Sequence, residues 1–217
     1  MKICLLSIDK IFGADEKIEN PILSLPFGDR DKNELLKIKN RTVACQSLGA
    51  RIALMRLCGG SDFGTLEKTE NGKPYFSKSN APFFSLSHTK GIAAAALGER
   101  NDGLIGIDLE IINSARDLGG IAKRFFSNDE LLRYEQDKSP DRFYSVWTEK
   151  EARVKLFGEN LSSELSKKET SKETLFFYKY KIKLAQNYAI LCVASKQKQK
   201  EIIFINDEDF EIYGLQN

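Results

Sequence analysis

Apolar and polar residues alternate most clearly over residues 104–112, and this pattern predicts a β-strand. Apolar residues at every second position from Ile105 to Ile111 share one face of the strand, while Asp108 and Glu110 share the other. The apolar face should anchor the strand in a core. Both carboxylates are then held side by side on the opposite face.

Shorter stretches predict the remaining strands. The opening ten residues form a partly alternating apolar stretch interrupted by charge, which favours a first strand over the core of a signal peptide. Segment 91–97 is ambiguous, because its four alanines favour a helix whereas its shortness and position between turns favour a buried strand. The sequence Asn71-Gly-Lys-Pro74 is a turn signal. Further strands are predicted at 83–87, 175–184, 188–194 and, with a weaker pattern, 202–205.

Three segments carry signals for helices. Apolar residues recur at roughly helical intervals up to Gly59, and Asp31–Glu34 has the capping-box spacing expected at the start of that long helix. Ser127–Glu130 has the same spacing ahead of a second helix. Ser139 followed by proline predicts the N-cap of a third helix, which should extend over 140–157 and end at the following glycine.

The order of these elements predicts an α+β fold, since strands and helices mix without the regular alternation of a doubly wound sheet. A length of 217 residues is enough for one sizeable core or two small, tightly joined lobes. The polar, strongly charged segment 162–174 is predicted to be an exposed loop.

Composition narrows the possible functions. The 33 Lys and Arg residues nearly balance 31 Asp and Glu residues, and a net charge of +2 disfavours a nucleic-acid-binding role. No segment approaches the roughly 20 apolar residues of a membrane span. Four widely spaced cysteines without a Cys-x-x-Cys pair suit reduced, buried thiols in the cytoplasm. The single histidine further argues against zinc, so any metal should be a hard cation held by carboxylates.

The pair Asp108 and Glu110 is the first candidate for such a site. Carboxylates on the same strand face repel each other unless a cation lies between them. Magnesium takes oxygen ligands and commonly joins one or two carboxylates to substrate phosphates. The alternative is a solvated acidic face on an edge strand, and the pair alone does not decide between the two.

Trp147, Glu151 and Lys155 are four residues apart in succession and share one face of the third predicted helix. Trp147 could fix that face against the core. Glu151 could supply a third oxygen ligand or a general base, and Lys155 could neutralise a transferring phosphate. The alternative is an ordinary Glu–Lys helix pair, worth about 0.2–0.5 kcal/mol.

His88 follows a predicted strand in a turn of small residues that could present donors to a phosphate, or it could be purely structural. The sequence contains neither a nucleophile elbow nor a glycine-rich phosphate loop.

Five segments follow one another along the chain: Asn71-Gly-Lys-Pro74, Phe84-Ser-Leu-Ser-His-Thr-Lys-Gly91, Ile105-Gly-Ile-Asp-Leu-Glu110, Arg124-Phe-Phe-Ser127, and Trp147-Thr-Glu-Lys-Glu-Ala152 with Lys155. In this order they resemble the 4′-phosphopantetheinyl transferases of the Sfp type, with the best correspondence over residues 71–158. The segments Ile105–Glu110 and Trp147–Ala152 are specific when they occur together at this separation.

The resemblance implies transfer of the phosphopantetheine arm of coenzyme A to a serine of an apo acyl, polyketide or peptidyl carrier protein, with release of adenosine 3′,5′-bisphosphate. It implies a magnesium ion held by Asp108, Glu110 and Glu151. Glu151 would also help to remove the proton of the serine hydroxyl, and Lys155 would stabilise charge on the pyrophosphate or the leaving group.

Contacts with coenzyme A are implied as well. His88 would lie near the 3′-phosphate. The full set comprises Lys73, Ser87, His88 and Lys155, together with Arg41 and, less closely matched, Arg51.

The fold implied is two similar α/β lobes related by a pseudo-two-fold axis, with coenzyme A between them. The lobes would span 1–103 and 104–217, and 91–97 would be a strand. The length favours a monomer.

Three other functions stay open at this point. A metal-dependent phosphohydrolase or nucleotidyl transferase could use the same carboxylates, and would turn over coenzyme A or nucleotides without a carrier. A non-catalytic module could bind coenzyme A or a carrier, although intact acidic residues and Lys155 argue against it. A nucleic-acid-binding domain is disfavoured by the charge balance.

Overall fold

Ten strands form two four-stranded sheets and one hairpin in the computed structural model, which describes residues 1–13, 17–158, 174–206 and 210–215. They are β1 (Lys2–Ser7), β2 (Leu66–Lys68), β3 (Pro74–Phe76), β4 (Phe84–Thr89), β5 (Ile92–Leu97), β6 (Ile105–Ile111), β7 (Phe176–Lys183), β8 (Tyr188–Ser195), β9 (Ile203–Asn206) and β10 (Glu211–Leu215). The first sheet has the order β4-β5-β1-β9 and the second β10-β7-β8-β6. Neighbouring strands are antiparallel except β9, which is parallel to β1.

Seven helices surround the sheets within the described ranges, and the two longest each pack against one sheet. They are α1 (Ile8–Ile11), α2 (Glu19–Leu23), α3 (Asp29–Leu36), α4 (Arg41–Cys58), α5 (Leu118–Phe125), α6 (Asn128–Glu135) and α7 (Pro140–Phe157). The helix α4 covers the first sheet and α7 the second, while the inner faces of the two sheets share a core. The predicted α+β class is confirmed.

The ambiguous segment 91–97 contains the strand β5, as the family resemblance implied. All six residues of β5 are buried. Ala93 and Ala95 pack with the α4 side of the core, and Ala94 and Ala96 pack with the second sheet. A strand covered closely on both faces needs small side chains, which explains a run of alanines outside a helix.

The predicted helix ends in the second half of the chain are confirmed. The Ser139 side chain accepts a hydrogen bond from the Arg142 amide at the start of α7, and Gly158 ends the helix with a φ of 67°. Ser127 and Glu130 form the predicted capping box of α6.

The capping box predicted at Asp31–Glu34 is wrong. The helix α3 begins at Asp29 after Gly28, so Asp31 lies inside it. The buried Asp31 carboxylate accepts three hydrogen bonds from the Arg51 guanidinium at 2.7–2.9 Å. An ion pair with a neighbouring helix has replaced the local cap.

The long helix predicted before Gly59 is divided into α3 and α4. Asn40 is the N-cap of α4, and its side chain accepts a hydrogen bond from the Val43 amide. The predicted end at Gly59 is confirmed, with a φ of 57° in the left-handed region.

The strands predicted in the last 45 residues are confirmed as β7, β8 and β9, and β10 was not predicted. The predicted loop at 162–174 lies outside the described residues apart from Thr174. The lobe boundary at 103/104 stays a prediction, and β9 joins the first sheet from beyond it. Across the described ranges, no helix combines the length and apolar character needed to cross a bilayer.

Candidate active site

The acidic residues of β6 and α7 converge. One carboxylate oxygen from each of Asp108, Glu110 and Glu151 lies within 4.8 Å of the others. Asp108 and Glu110 are on the same face of β6, as alternation predicts, and Glu151 extends from α7, which packs on that strand. The structure therefore brings all three predicted metal ligands together as one acidic cluster.

Gly106 allows α7 to lie this close to β6. A Cβ atom at this position would lie 2.0 Å from the carbonyl oxygen of Ala152 and 2.5 Å from the amide nitrogen of Leu156. Both contacts involve helix backbone, which cannot rotate away as a side chain can. The small residue two positions before Asp108 thus sets the distance between the strand and the helix.

Asp108 is buried, with only 1% of its surface exposed. Its Oδ1 accepts hydrogen bonds from the Ser87 hydroxyl at 3.1 Å and from Lys155 Nζ at 2.6 Å. Its Oδ2 is buried and has no hydrogen-bond partner among the described residues. The alternative of a solvated acidic strand face is therefore wrong for Asp108. A buried carboxylate oxygen without a partner suits a metal ligand.

The electrostatics of the acidic cluster also suit a cation. Burial and the neighbouring Asp108 carboxylate raise the pKa of Glu110 to about 7 and that of Glu151 to about 8. Burial disfavours the charge of Lys155, but the carboxylates of Asp108 and Glu151 outweigh this effect and raise its pKa. One lysine cannot balance three ionised carboxylates, so the cluster holds either protons or a further cation.

Lys155 and Trp147 occupy the positions on α7 that their spacing predicted. Lys155 Nζ donates hydrogen bonds to Asp108 and, at 3.0 Å, to the Ser87 hydroxyl. It therefore connects α7 to β6 and β4, and is not limited to a helix pair with Glu151. Trp147 packs on the rings of Phe125, Phe126 and Phe143. That aromatic contact fixes the helix face that carries Glu151.

Lys73 lies in the wall of a cavity of about 230 Å³ that Lys155 also lines. Its Nζ donates hydrogen bonds to the carbonyl oxygens of Leu156 at 2.6 Å and Ile105 at 3.3 Å. Burial lowers the pKa of Lys73 to about 8. The cavity therefore has two lysines in its wall, and one of them, Lys155, is bonded to Asp108.

His88 is exposed at the end of β4, beyond Ser87. Its Nε2 lies 3.4 Å from the Ser47 hydroxyl on α4. Partial shielding from water and the charges of Lys155 and Arg51 lower the pKa of His88. The ring is thus neutral near pH 7 in the absence of an anion.

Two predicted basic residues make contacts away from the acidic cluster. Arg41 donates a hydrogen bond to the Gly13 carbonyl at 2.7 Å. Arg51 is held by Asp31 and also donates to the Ser47 carbonyl at 3.1 Å. The structure brings Arg51 near His88 through Ser47, and the contact it shows for Arg41 is with Gly13.

Ser85 and Gly106 were not singled out by the sequence analysis, although both adjoin the site. The Ser85 hydroxyl accepts a hydrogen bond from the Ile107 amide at 3.1 Å. The available signal was the alternation of Ser85 with Ser87 on one face of a strand. The partner strand could not be identified from that pattern.

Comparison with known proteins agrees with this geometry. A family model of the 4′-phosphopantetheinyl transferase superfamily matches residues 104–198, the segment that contains β6, α7 and all three carboxylates. The predicted family resemblance is confirmed at this level.

Individual 4′-phosphopantetheinyl transferases are similar over part of their length. The chain is 38% identical to psf-1 of Bacillus pumilus over 103 residues, covering 46% of this chain and 42% of that protein. It is 39% identical to HetI of Nostoc over 82 residues, covering 36% and 34%. It is 34% identical to the 4′-phosphopantetheinyl transferase of Bacillus subtilis over 125 residues, covering 56% and 50%. The matched regions thus span half or less of these relatives.

Proposed function

We propose that this protein is a magnesium-dependent 4′-phosphopantetheinyl transferase of the Sfp type. It would move the phosphopantetheine arm of coenzyme A to a serine of an apo carrier protein and release adenosine 3′,5′-bisphosphate. The observation that carries the proposal is the convergence of Asp108, Glu110 and Glu151 beside Lys155, within the segment that matches the superfamily.

Asp108, Glu110 and Glu151 would hold the magnesium ion. The fit rests on the unpartnered Asp108 Oδ2 and on the all-oxygen ligand set, which magnesium prefers. When bound, magnesium neutralises charge on the phosphate oxygens of the pyrophosphate. Lys155 holds Asp108 from the side of Oδ1, which leaves Oδ2 for the ion.

Glu151 is the proposed base. It would take the proton of the carrier serine hydroxyl, directly or through a water molecule. The serine oxygen then forms a bond to the phosphorus that bears pantetheine, and the bond from that phosphorus to the bridging oxygen breaks. The electron pair leaves with adenosine 3′,5′-bisphosphate, and Lys155 stabilises the negative charge of the pyrophosphate or of this leaving group.

Lys73, Ser87 and His88 would contact the nucleotide part of coenzyme A. Lys73 and Lys155 line the same cavity, which supports placing phosphates there. His88 would contact the 3′-phosphate, and Arg41 would add a further phosphate contact. The Arg51 guanidinium is already bound by Asp31 and donates to the Ser47 carbonyl, so we assign it a structural role and not a phosphate contact.

We further propose two lobes, 1–103 and 104–217, in a protein that acts as a cytoplasmic monomer. The two long helices, each packed on its own four-stranded sheet, support the division into lobes. All four cysteines are buried thiols, which supports a reducing compartment.

The experiment is incubation with several apo carriers, coenzyme A and magnesium, followed by mass spectrometry of the carrier. We expect one phosphopantetheine mass on the carrier serine, none on a carrier with that serine replaced by alanine, and none with EDTA. Intact coenzyme A binding without an adduct on any carrier would contradict the transferase. Turnover of coenzyme A without a carrier would instead indicate the phosphohydrolase, and binding without any turnover the non-catalytic module.

A further inference from the structure

Two serine hydroxyls of β4 join the edge of the first sheet to the edge of the second. The strands β4 and β6 are edge strands of separate sheets, and they contact each other without a backbone ladder among the described residues. The Ser85 hydroxyl accepts a hydrogen bond from the Ile107 amide, and the Ser87 hydroxyl accepts one from the Leu109 amide, both at 3.1 Å. We call Ser85 and Ser87 the serine seam.

The serine seam holds the backbone on both sides of Asp108. Amide groups alternate along an antiparallel strand, so those of Ile107 and Leu109 point away from β8 and towards β4. Both serine side chains are buried. A shift of β6 along β4 would therefore leave buried amides without partners, which is costly because a buried donor then loses its hydrogen bond without regaining water.

The two serines of the seam differ in their other contacts. Ser87 also donates to Asp108 Oδ1 and accepts from Lys155 Nζ, so it is part of the site already described. Ser85 makes no hydrogen bond with the acidic cluster among the described residues. Its connection to the cluster is the amide of Ile107, the residue directly before Asp108.

We propose that Ser85 is a positioning residue for the acidic cluster. Its hydroxyl fixes the backbone before Asp108 and thereby sets the position of that carboxylate relative to Glu110 and Glu151. This inference rests on the proposed function, because the position matters only if the three carboxylates hold an ion.

The test compares Ser85→Ala with Ser85→Thr, which keeps the hydroxyl, and with Ser195→Ala as a matched control. Ser195 is a buried hydroxyl of the second sheet that accepts a hydrogen bond from Gln199 Nε2 at 3.0 Å, away from the acidic cluster. The measurements are Mn²⁺ affinity in solution, with Mn²⁺ as a magnesium substitute, amide exchange of Ile107, and coenzyme A affinity.

For Ser85→Ala we expect faster exchange of the Ile107 amide and Mn²⁺ binding weakened about 10-fold, the lower end for lost support of a metal ligand. Coenzyme A affinity measured in EDTA should stay unchanged, and with an active carrier at saturating magnesium kcat should fall while KM for coenzyme A does not rise. Ser85→Thr should retain Mn²⁺ affinity, and Ser195→Ala should lower stability alone. If Ser85→Ala does not fold, Ser85→Cys replaces it, because a thiol has a similar shape but is a weak acceptor.

Equal Mn²⁺ affinity in Ser85→Ala and the unchanged protein would overturn the positioning role, whatever happens to stability. Weaker coenzyme A binding at unchanged Mn²⁺ affinity would also overturn it, and would make Ser85 a substrate contact. Failure of the proposed function is visible separately, in the unchanged protein, as absence of Mn²⁺ binding or of transfer to any carrier.

Discussion

At the scale of single residues, Glu149 and Glu151 of α7 show how differently two glutamates contribute to stability. Glu151 is only 8% exposed and lies close to two further carboxylates. Glu149, two positions earlier on α7, is partly buried, but it accepts two hydrogen bonds from Arg133 at 2.8 Å and forms an ion pair with Lys179 at 2.7 Å. Two glutamates that are two positions apart on one helix thus have opposite electrostatic surroundings.

The difference predicts opposite effects of one substitution. Burial and Asp108 raise the pKa of Glu151 from its usual value of 4.5 to about 8, so the folded state retains a proton that the unfolded state releases. Metal-free protein therefore loses stability as pH rises from about 4.5 to 8. Glu151→Gln removes this loss, and in EDTA its free energy of unfolding should equal or exceed that of the unchanged protein at pH 8.

Glu149→Gln is the matched control. Burial opposes ionisation of Glu149, but Arg133 and Lys179 outweigh it and lower its pKa, so its contribution to stability is present at neutral pH and is lost in acid. Glu149→Gln should lower the free energy of unfolding at pH 8, measured by urea denaturation. A Glu151→Gln variant as unstable as Glu149→Gln would refute the proposed difference.

His88 gives a second prediction at this scale. It is the only histidine in the chain, so its imidazole NMR signal can be followed without ambiguity. Shielding from water, Lys155 and Arg51 lower its pKa in the free protein. If the 3′-phosphate of coenzyme A lies beside the ring, binding should raise this pKa, because an anion favours the charged imidazolium.

The control ligand for His88 is 3′-dephospho-coenzyme A, which should bind with a smaller rise in the pKa. An equal rise with both ligands would show that His88 senses some other part of coenzyme A. That result would remove its assignment to the 3′-phosphate.

At the scale of elements, the site depends on the packing of α7 against β6. Gly106→Ala would place a Cβ atom 2.0 Å from the Ala152 carbonyl oxygen, so the helix must move. We expect a loss of about 1–3 kcal/mol in the free energy of unfolding, as for overpacked cores. Mn²⁺ affinity should fall as well, since Glu151 moves with α7 while Asp108 stays on β6.

The control is Gly214→Ala in β10, where a Cβ atom would meet nothing within 4 Å. This change should stay within about 0.5 kcal/mol, as is usual for surface substitutions. If Gly106→Ala were equally mild in urea denaturation and in Mn²⁺ titration, the close approach of α7 would not determine the site.

Element ends and faces were predictable where the signal is local. The bounds of α7 followed from the sequence, because its N-cap Ser139 with the adjacent Pro140 and its C-cap Gly158 lie directly at the helix ends. The start of α3 did not, because the Asp31 carboxylate is bound by Arg51, twenty residues away, and does not cap the helix. A capping rule does not include a partner on another helix.

At the scale of the whole molecule, the acidic cluster is formed by contacts between distant segments. The alternating pattern placed Asp108 and Glu110 on one face of a strand, and helical spacing placed Glu151 and Lys155 on one face of a helix. Only the family resemblance predicted that the strand and the helix contribute to the same site. The burial of Asp108 between β4 and α7 could not be predicted, since it requires both sheets to be in place.

The most direct test is anomalous X-ray diffraction from crystals of the protein grown with Mn²⁺ and coenzyme A. A single strong manganese peak should lie between Asp108, Glu110 and Glu151, at about 2.0–2.2 Å from their oxygens, and should also contact the pyrophosphate. A manganese peak elsewhere, or coenzyme A bound with its pyrophosphate away from these carboxylates, would contradict the account.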